Sequence, residues 1–143
     1  MKLVIKKFDE LTVTQLYEIL KARAAIFVVE QDCVYQDLDG IDYDSLHIFY
    51  EQDNSVVAYL RAFFKDDTTV RFGRVLSLNH GEGLGRKLLE SAIEHVKATT
   101  NAKGIYLEGQ TYCIGFYEKF GFKVISDEFL LDGLPHVAMQ LEL

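Results

Sequence analysis

Cysteine is scarce in this chain of 143 residues: there are two, Cys33 and Cys113, with no CxxC and no Cys/His cluster beside either. That argues against a structural zinc site or a dithiol redox motif. One disulfide stays open on paper, but a reduced chain in the cytoplasm is the expectation. Positive charge is also short, with 15 Lys and Arg against 22 Asp and Glu and a formal net charge of -7. Phosphate backbones need a basic surface, so nucleic acid is not an expected partner. An acidic surface tolerates cationic partners such as amines. No apolar run reaches membrane-crossing length. The opening MKLVIKKF also lacks a run long enough for a signal peptide, so no membrane association is expected.

What remains is an ordinary globular composition, 49% hydrophobic and 26% charged. The length fits a single domain over 1–143, large enough to bury a core without metals or disulfides. Leu3 to Ile5 read as a first strand. Thr12 and Gln15 have the spacing of a capping box. Val13, Leu16, Tyr17, Leu20, Ala24, Phe27 and Val28 then recur at helical spacing, predicting one amphipathic helix over 13–29. Residues 30–46, rich in Asp, read as a long loop. Strands follow at 47–51, 56–64 and 70–78 as a meander. Leu84, Leu88, Leu89, Ala92, Ile93 and Val96 form the apolar stripe of a second helix. Ile105 to Leu107 is a buried strand, and 114–120 a short helix ended by Gly121. The closing strands are 122–125 and 136–143. The order β-α-β-β-β-α-β-α-β-β predicts an α/β fold, a mixed central sheet of about six to seven strands with flanking helices.

The strongest local signal is the passage from Arg74-Val75-Leu76-Ser77-Leu78 into Asn79-His80-Gly81-Glu82-Gly83-Leu84-Gly85-Arg86-Lys87. A strand runs into closely spaced glycines, and these run into a helix. Glycines let the backbone approach a ligand. A helix N-terminus presents unpaired N–H groups and the positive end of the dipole. Arg86 and Lys87 add charge, so the segment suits a phosphate group. It is not a Walker A loop, since Arg86 stands where GxxxxGK[ST] needs its second glycine. Nor is it GxGxxG, which fails from Gly81 at Arg86 and from Gly83 at Leu88. The plain alternative is a glycine-rich turn that caps a helix.

His80-Gly81-Glu82-Gly83-Leu84-Gly85 resembles the Gln/Arg-x-x-Gly-x-Gly/Ala pyrophosphate loop of GNAT acetyltransferases. Downstream, Gly115-Phe116-Tyr117-Glu118-Lys119-Phe120-Gly121-Phe122 resembles the family's FYxxxGF signature. A finer resemblance, to the ElaA-like GNAT proteins, runs through Phe27 to Asp39, Asp42, His47, Arg74-Val75, Gln110 and Asp132 to Met139. It implies the GNAT fold and an N-acyltransferase with acetyl-CoA as co-substrate, no metal, and a small-molecule or peptide amine as acceptor. A homodimer stays open. The resemblance implies that Val75, Leu76 and Ser77 offer backbone groups to the pantetheine arm and thioester oxygen. His80, Gly81, Glu82, Gly83, Leu84, Gly85, Arg86 and Lys87 would hold the pyrophosphate. His80 departs from the family's Gln or Arg. That departure motivates a second reading, a CoA-binding sensor or partner module without turnover.

Acyl transfer to an amine needs a positioned donor, a neutral amine and a proton for the departing thiolate. Tyr117 sits where the family often has its general acid; a core tyrosine is the alternative. Candidates for the base are Glu30, His47, Glu108 and His136, of which Glu30 is the favoured catalytic residue. His47, His136 and Gln110 are expected to contact substrate, with structural histidines and a strand-end amide as the alternatives. Asp37, Asp39, Asp42 and Asp44 form an acidic run. It fails as an EF-hand, which would need Gly at Asp42 and a Glu at Ile48. It is expected to be a solvated loop, or else a rim attracting a cationic acceptor. Cys33 and Cys113 are expected to be inert, since neither has a base at hand in the sequence.

Overall fold

The computed structural model describes residues 1–78 and 83–143. The chain opens with β1 (Lys2–Lys7), a 3-10 turn at Phe8–Glu10 and helix α1 (Val13–Arg23). Thr12 caps α1 as its spacing predicts: the Gln15 N–H donates to Thr12 Oγ1 at 3.0 Å, and the Thr12 N–H donates to Gln15 Oε1 at 3.0 Å. The predicted single helix over 13–29 is instead two segments. α1 stops at Arg23 and the chain continues as a π-helix through Ala24–Glu30. Such wide turns inside helices are rare and gather at functional sites.

β2 (Leu46–Gln52), β3 (Ser55–Phe64) and β4 (Thr69–Ser77) extend β1 as an antiparallel meander. Helix α2 (Leu84–Thr99) then crosses over to β5 (Gly104–Gln110), which lies parallel to β4. Parallel neighbours need such a crossover. A 3-10 turn at Thr111–Cys113 leads into α3 (Ile114–Glu118), and β6 (Lys123–Val124), β7 (Phe129–Leu131) and β8 (Leu134–Glu142) close the fold. The sheet has eight strands in the order β1-β2-β3-β4-β5-β8-β6, with β7 paired to β8. The mixed α/β architecture is the expected one. β7 is the added strand, a three-residue partner turned back through Asp132 (φ 51°) and Gly133 (φ 77°).

Two cores lie on the two faces of the sheet. On one, the six apolar residues of α2 read from the sequence are all buried, against Ile48, Leu60, Phe72, Ile105, Leu107 and Met139. Fully burying one such leucine or isoleucine stabilises the fold by about 1.5–3 kcal/mol. On the other, Ile19 and Ala22 of α1 meet Val4, Phe49, Tyr59 and Leu76.

Three members of the acidic run have a structural role that neither expectation gave them. Arg23 is fully buried and donates to Asp37 at 2.9 Å and to Asp42 at 2.7 Å. Arg61 donates to Asp39 at 2.7 Å and to Asp42 at 3.1 Å, and Arg74 to Asp37 at 2.8 Å. Asp39 and Asp44 stay exposed to solvent, but Asp37, Asp39 and Asp42 are all held in ion pairs. They tie the 31–44 segment to α1, β3 and β4, because buried carboxylates persist only when paired.

Candidate active site

The parallel pairing of β4 with β5 covers Thr69, Val70 and Arg71 opposite Gly104, Ile105 and Tyr106, and ends there. Beyond it the two strands part, and a cleft of about 550 Å³ opens between them. β4 changes course at the same place. Its register against β3 shifts between the Tyr59–Leu76 and Arg61–Gly73 pairs, leaving one residue over on β4. Arg74 lies in this bulge with φ 53°, a left-handed conformation uncommon for a residue with a side chain. Ser77 and Leu76 pair with Ala58 and Tyr59 on the β3 side. Their opposite edge and that of Val75 face the cleft, which all three line.

At one end the cleft meets the start of α2. Gly83 caps that helix from a left-handed conformation, φ 74°, with no side-chain cap and no acidic residue in the first turn. The first backbone N–H groups of a helix have no intrahelical acceptor. Gly83, Leu84, Gly85 and Arg86 line the cleft here. Among the described residues Arg86 keeps only a long i,i+4 contact to Glu90 at 3.9 Å. A helix N-terminus of this kind fits a pyrophosphate. Gly85 has a packing role too, since a Cβ there would stand 3.4 Å from the Phe116 ring. Lys87 is exposed and is not among the lining residues. His80, Gly81 and Glu82 lie outside the described residues.

Tyr117 stands deep in the cleft wall, 7% exposed, on α3. It packs over the place where Gly109 lacks a side chain: a Cβ there would be 3.0 Å from the Tyr117 ring. Its ring also meets Phe116 and Phe122 edge-on. Burial raises its phenol well above the ordinary tyrosine value, so the group stays protonated. Among the described residues no partner binds its hydroxyl, and the residue lines the cleft. Cys113 and Cys33 line the cleft as well. Burial pushes the Cys113 thiol up, and Cys33 Sγ donates to the Asp132 carbonyl at 3.4 Å. The burial of Cys113 disfavours its thiolate.

Gln110 and His136 are opposite each other in the β5–β8 register, and both line the cleft. Glu108 is there too, engaged on both oxygens by Arg71 at 3.0 Å and by the Tyr106 hydroxyl at 2.7 Å. Glu30 is exposed at the end of the π-helix and is not among the lining residues. It lies within electrostatic reach of Tyr112, whose phenol is raised first by burial, then by Cys113 and then by Glu30.

His47 is not in the cleft, and the expectation that it contacts substrate fails. It is 1% exposed, with Nε2 2.9 Å from the Asp42 carbonyl and Nδ1 2.7 Å from the Tyr59 hydroxyl. A carbonyl can only accept, so Nε2 carries the hydrogen and Nδ1 accepts from Tyr59. Burial lowers its proton affinity. It is a structural member of the arginine–aspartate cluster. A second cavity of about 500 Å³, by Phe8, Tyr43 and the C-terminal end of α2, is lined by Asp44 of the acidic run but by none of the residues nominated for catalysis, donor binding or substrate binding. Among the described residues no group of His, Cys, Asp and Glu is arranged to hold a metal ion. No helix among them is long and apolar enough to cross a membrane.

The sequence over residues 13–143 matches the family described as "Acetyltransferase (GNAT) domain". The chain belongs to the GNAT acetyltransferase family. Within GNAT, the chain is 39% identical to protein ElaA of Escherichia coli over 140 residues, 94% of this chain and 92% of that protein. It is 40% identical to a UPF0039 protein of Schizosaccharomyces pombe over 147 residues, 100% of this chain and 98% of that one. The crystal structure of Escherichia coli ElaA superposes with a TM-score of 0.92 at 36% identity, covering 99% of both chains. An acyl-CoA N-acyltransferase from Pseudomonas aeruginosa gives 0.92 at 32% identity, again covering 99% of each. This GNAT protein is an acyltransferase enzyme of the ElaA-like group.

Proposed function

We propose that this single-domain GNAT enzyme transfers an acetyl group from acetyl-CoA to a primary amine of a small molecule or peptide. The observation that carries the proposal is the cleft itself, which is lined by the Gly83–Arg86 start of α2 at one end and by Tyr117 within. The Gly83–Arg86 turn would hold the pyrophosphate, together with His80, Gly81 and Glu82. The free edge of Val75, Leu76 and Ser77 would take the pantetheine arm and the thioester oxygen, supplying fixed donors without reorganisation. Tyr117 would protonate the departing thiolate. Gln110 and His136 lie on the acceptor side, and Glu30 at the rim would favour a cationic acceptor before it loses its proton. Two free thiols suit a reducing compartment such as the cytoplasm.

The test is thiol release from acetyl-CoA with propylamine, benzylamine and spermidine, beside the melting temperature with acetyl-CoA alone. The expected result is amine-dependent thiol release and a raised melting temperature, since a ligand selective for the folded state stabilises it. A raised melting temperature with no thiol release for any amine favours the CoA-binding module without turnover. No thermal shift and no release removes both readings.

A further inference from the structure

Of the four side chains nominated as proton acceptors, two are occupied by neighbouring groups and a third lies outside the cleft lining. His47 is sealed in the arginine–aspartate cluster, and both Glu108 oxygens accept from neighbours. Glu30 stands outside the lining residues.

His136 is held differently. Its Nδ1 lies 2.8 Å from the Leu134 carbonyl oxygen. A carbonyl only accepts, so Nδ1 carries the hydrogen and donates it, which leaves Nε2 of the neutral ring with a lone pair. Among the described residues Nε2 has no partner, and it is not sealed from solvent although the residue is only 8% exposed. Phe129 stacks on the ring at 6.1 Å and 24°. Tautomer and orientation are therefore set by the β7–β8 hairpin before any ligand arrives.

Strand register places this ring on the far side of β5 from Tyr117. Gly109 pairs with Val137, and Gln110 with His136. Neighbouring residues of a strand point to opposite faces. Tyr117 covers the Gly109 face, so His136 lies on the other one. Both line the same cleft, which passes beyond the paired part of β4 and β5.

The geometry points to His136 Nε2 as the group that takes the proton from the attacking amine, an inference that rests on the transferase reading above. As the amine nitrogen bonds to the acyl carbon, it gives one proton to His136 Nε2. The carbon–sulfur bond breaks, sulfur keeps its electron pair and takes a proton from Tyr117. The imidazolium returns its proton to water and the phenolate recovers one from water. An amide and a free thiol result. The two proton transfers thus occur on opposite sides of β5. On β4 and β5 the charged pair Arg71 and Glu108 also lines the cleft.

The experiment compares wild type with His136→Asn, using acetyl-CoA and whichever of propylamine, benzylamine and spermidine turns over fastest. Asn retains a donor for the Leu134 carbonyl and lacks the Nε2 lone pair. The expected result is a fall in kcat of roughly 10²–10⁴-fold, an unchanged acetyl-CoA KM, and partial recovery with added imidazole. A variant with wild-type kcat, or one whose sole loss is in acceptor KM, overturns the inference. Long-range nitrogen NMR of the wild-type protein reads the His136 tautomer without any acceptor and without a variant. A hydrogen on Nε2 in the neutral ring overturns the base assignment alone. Wild-type protein that releases no thiol with any amine ends the transferase reading, and the inference falls with it.

Discussion

Arg74 donates to the Asp37 carboxylate through Nε at 2.8 Å and to the Asp37 carbonyl through Nη2 at 3.0 Å, from a backbone held at φ 53°. Asp37 also accepts from Arg23 at 2.9 Å and from the Tyr35 hydroxyl at 2.9 Å. The bulge in β4 is therefore clamped to the loop that walls the cleft. Asp37→Ala leaves a fully buried arginine short of a partner. Breaking such a pair costs about 3–5 kcal/mol, and urea titration is expected to read a loss of that order. Arg74→Gly accepts the left-handed backbone freely, whereas Arg74→Val does not. The glycine variant is expected to be the more stable of the two.

Acid should weaken the same cluster in two stages. Burial holds His47 below its ordinary 6.5, so the folded protein resists its protonation and stability starts to fall as pH drops below that value. The Arg61 hydrogen bond then holds Asp39 down from 3.8 to about 2. Its contribution is complete above the unfolded value and is lost as pH falls from about 4 to about 2. Denaturant midpoints measured against pH should show both stages. Asp39→Asn should flatten the lower one, and His47→Gln the upper.

Tyr117→Phe keeps the ring that packs on Gly109, Phe116 and Phe122. It removes a hydroxyl that, among the described residues, holds no partner. Turnover is expected to fall roughly 10²–10⁴-fold, with the melting temperature and acetyl-CoA affinity nearly unchanged. Steady-state kinetics beside a thermal melt separates this from a core role, in which kcat would stay and stability would drop.

Gly83→Val places a branched side chain at φ 74°, where nothing crowds it but its own backbone is strained. Such a conformation costs a non-glycine residue about 1–2 kcal/mol. Relief of that strain would turn the first N–H groups of α2 away from the cleft. The thermal shift given by acetyl-CoA is expected to vanish while the variant still melts cooperatively.

The repeating patterns were legible because they are local. Thr12 and Gln15 form the predicted capping box, and the apolar stripe of α2 is buried residue for residue. The π-helix was not legible, since Ala24 to Val28 continue the helical apolar spacing and only wider turns distinguish them. The pairing of Asp37, Asp39 and Asp42 was not legible because their partners, Arg23, Arg61 and Arg74, are scattered over three elements. A signal was present all the same. Arg61 interrupts the apolar strand Val56 to Phe64, and a cation inside such a run needs an anion. The tautomer of His136 depends on the Leu134 carbonyl, a backbone group that no residue pattern reports.

The clamp also bears on how the molecule looks to an approaching ligand. Arg23, Arg61 and Arg74 cancel Asp37, Asp39 and Asp42. Beyond a screening length of about 8–10 Å in ordinary salt, this densest knot of charge is electrically silent. The formal -7 of the chain is carried elsewhere on its surface. Ionic strength should therefore tune encounter with a cation through those scattered outer carboxylates, while the buried knot that shapes the β4 bend goes unaffected.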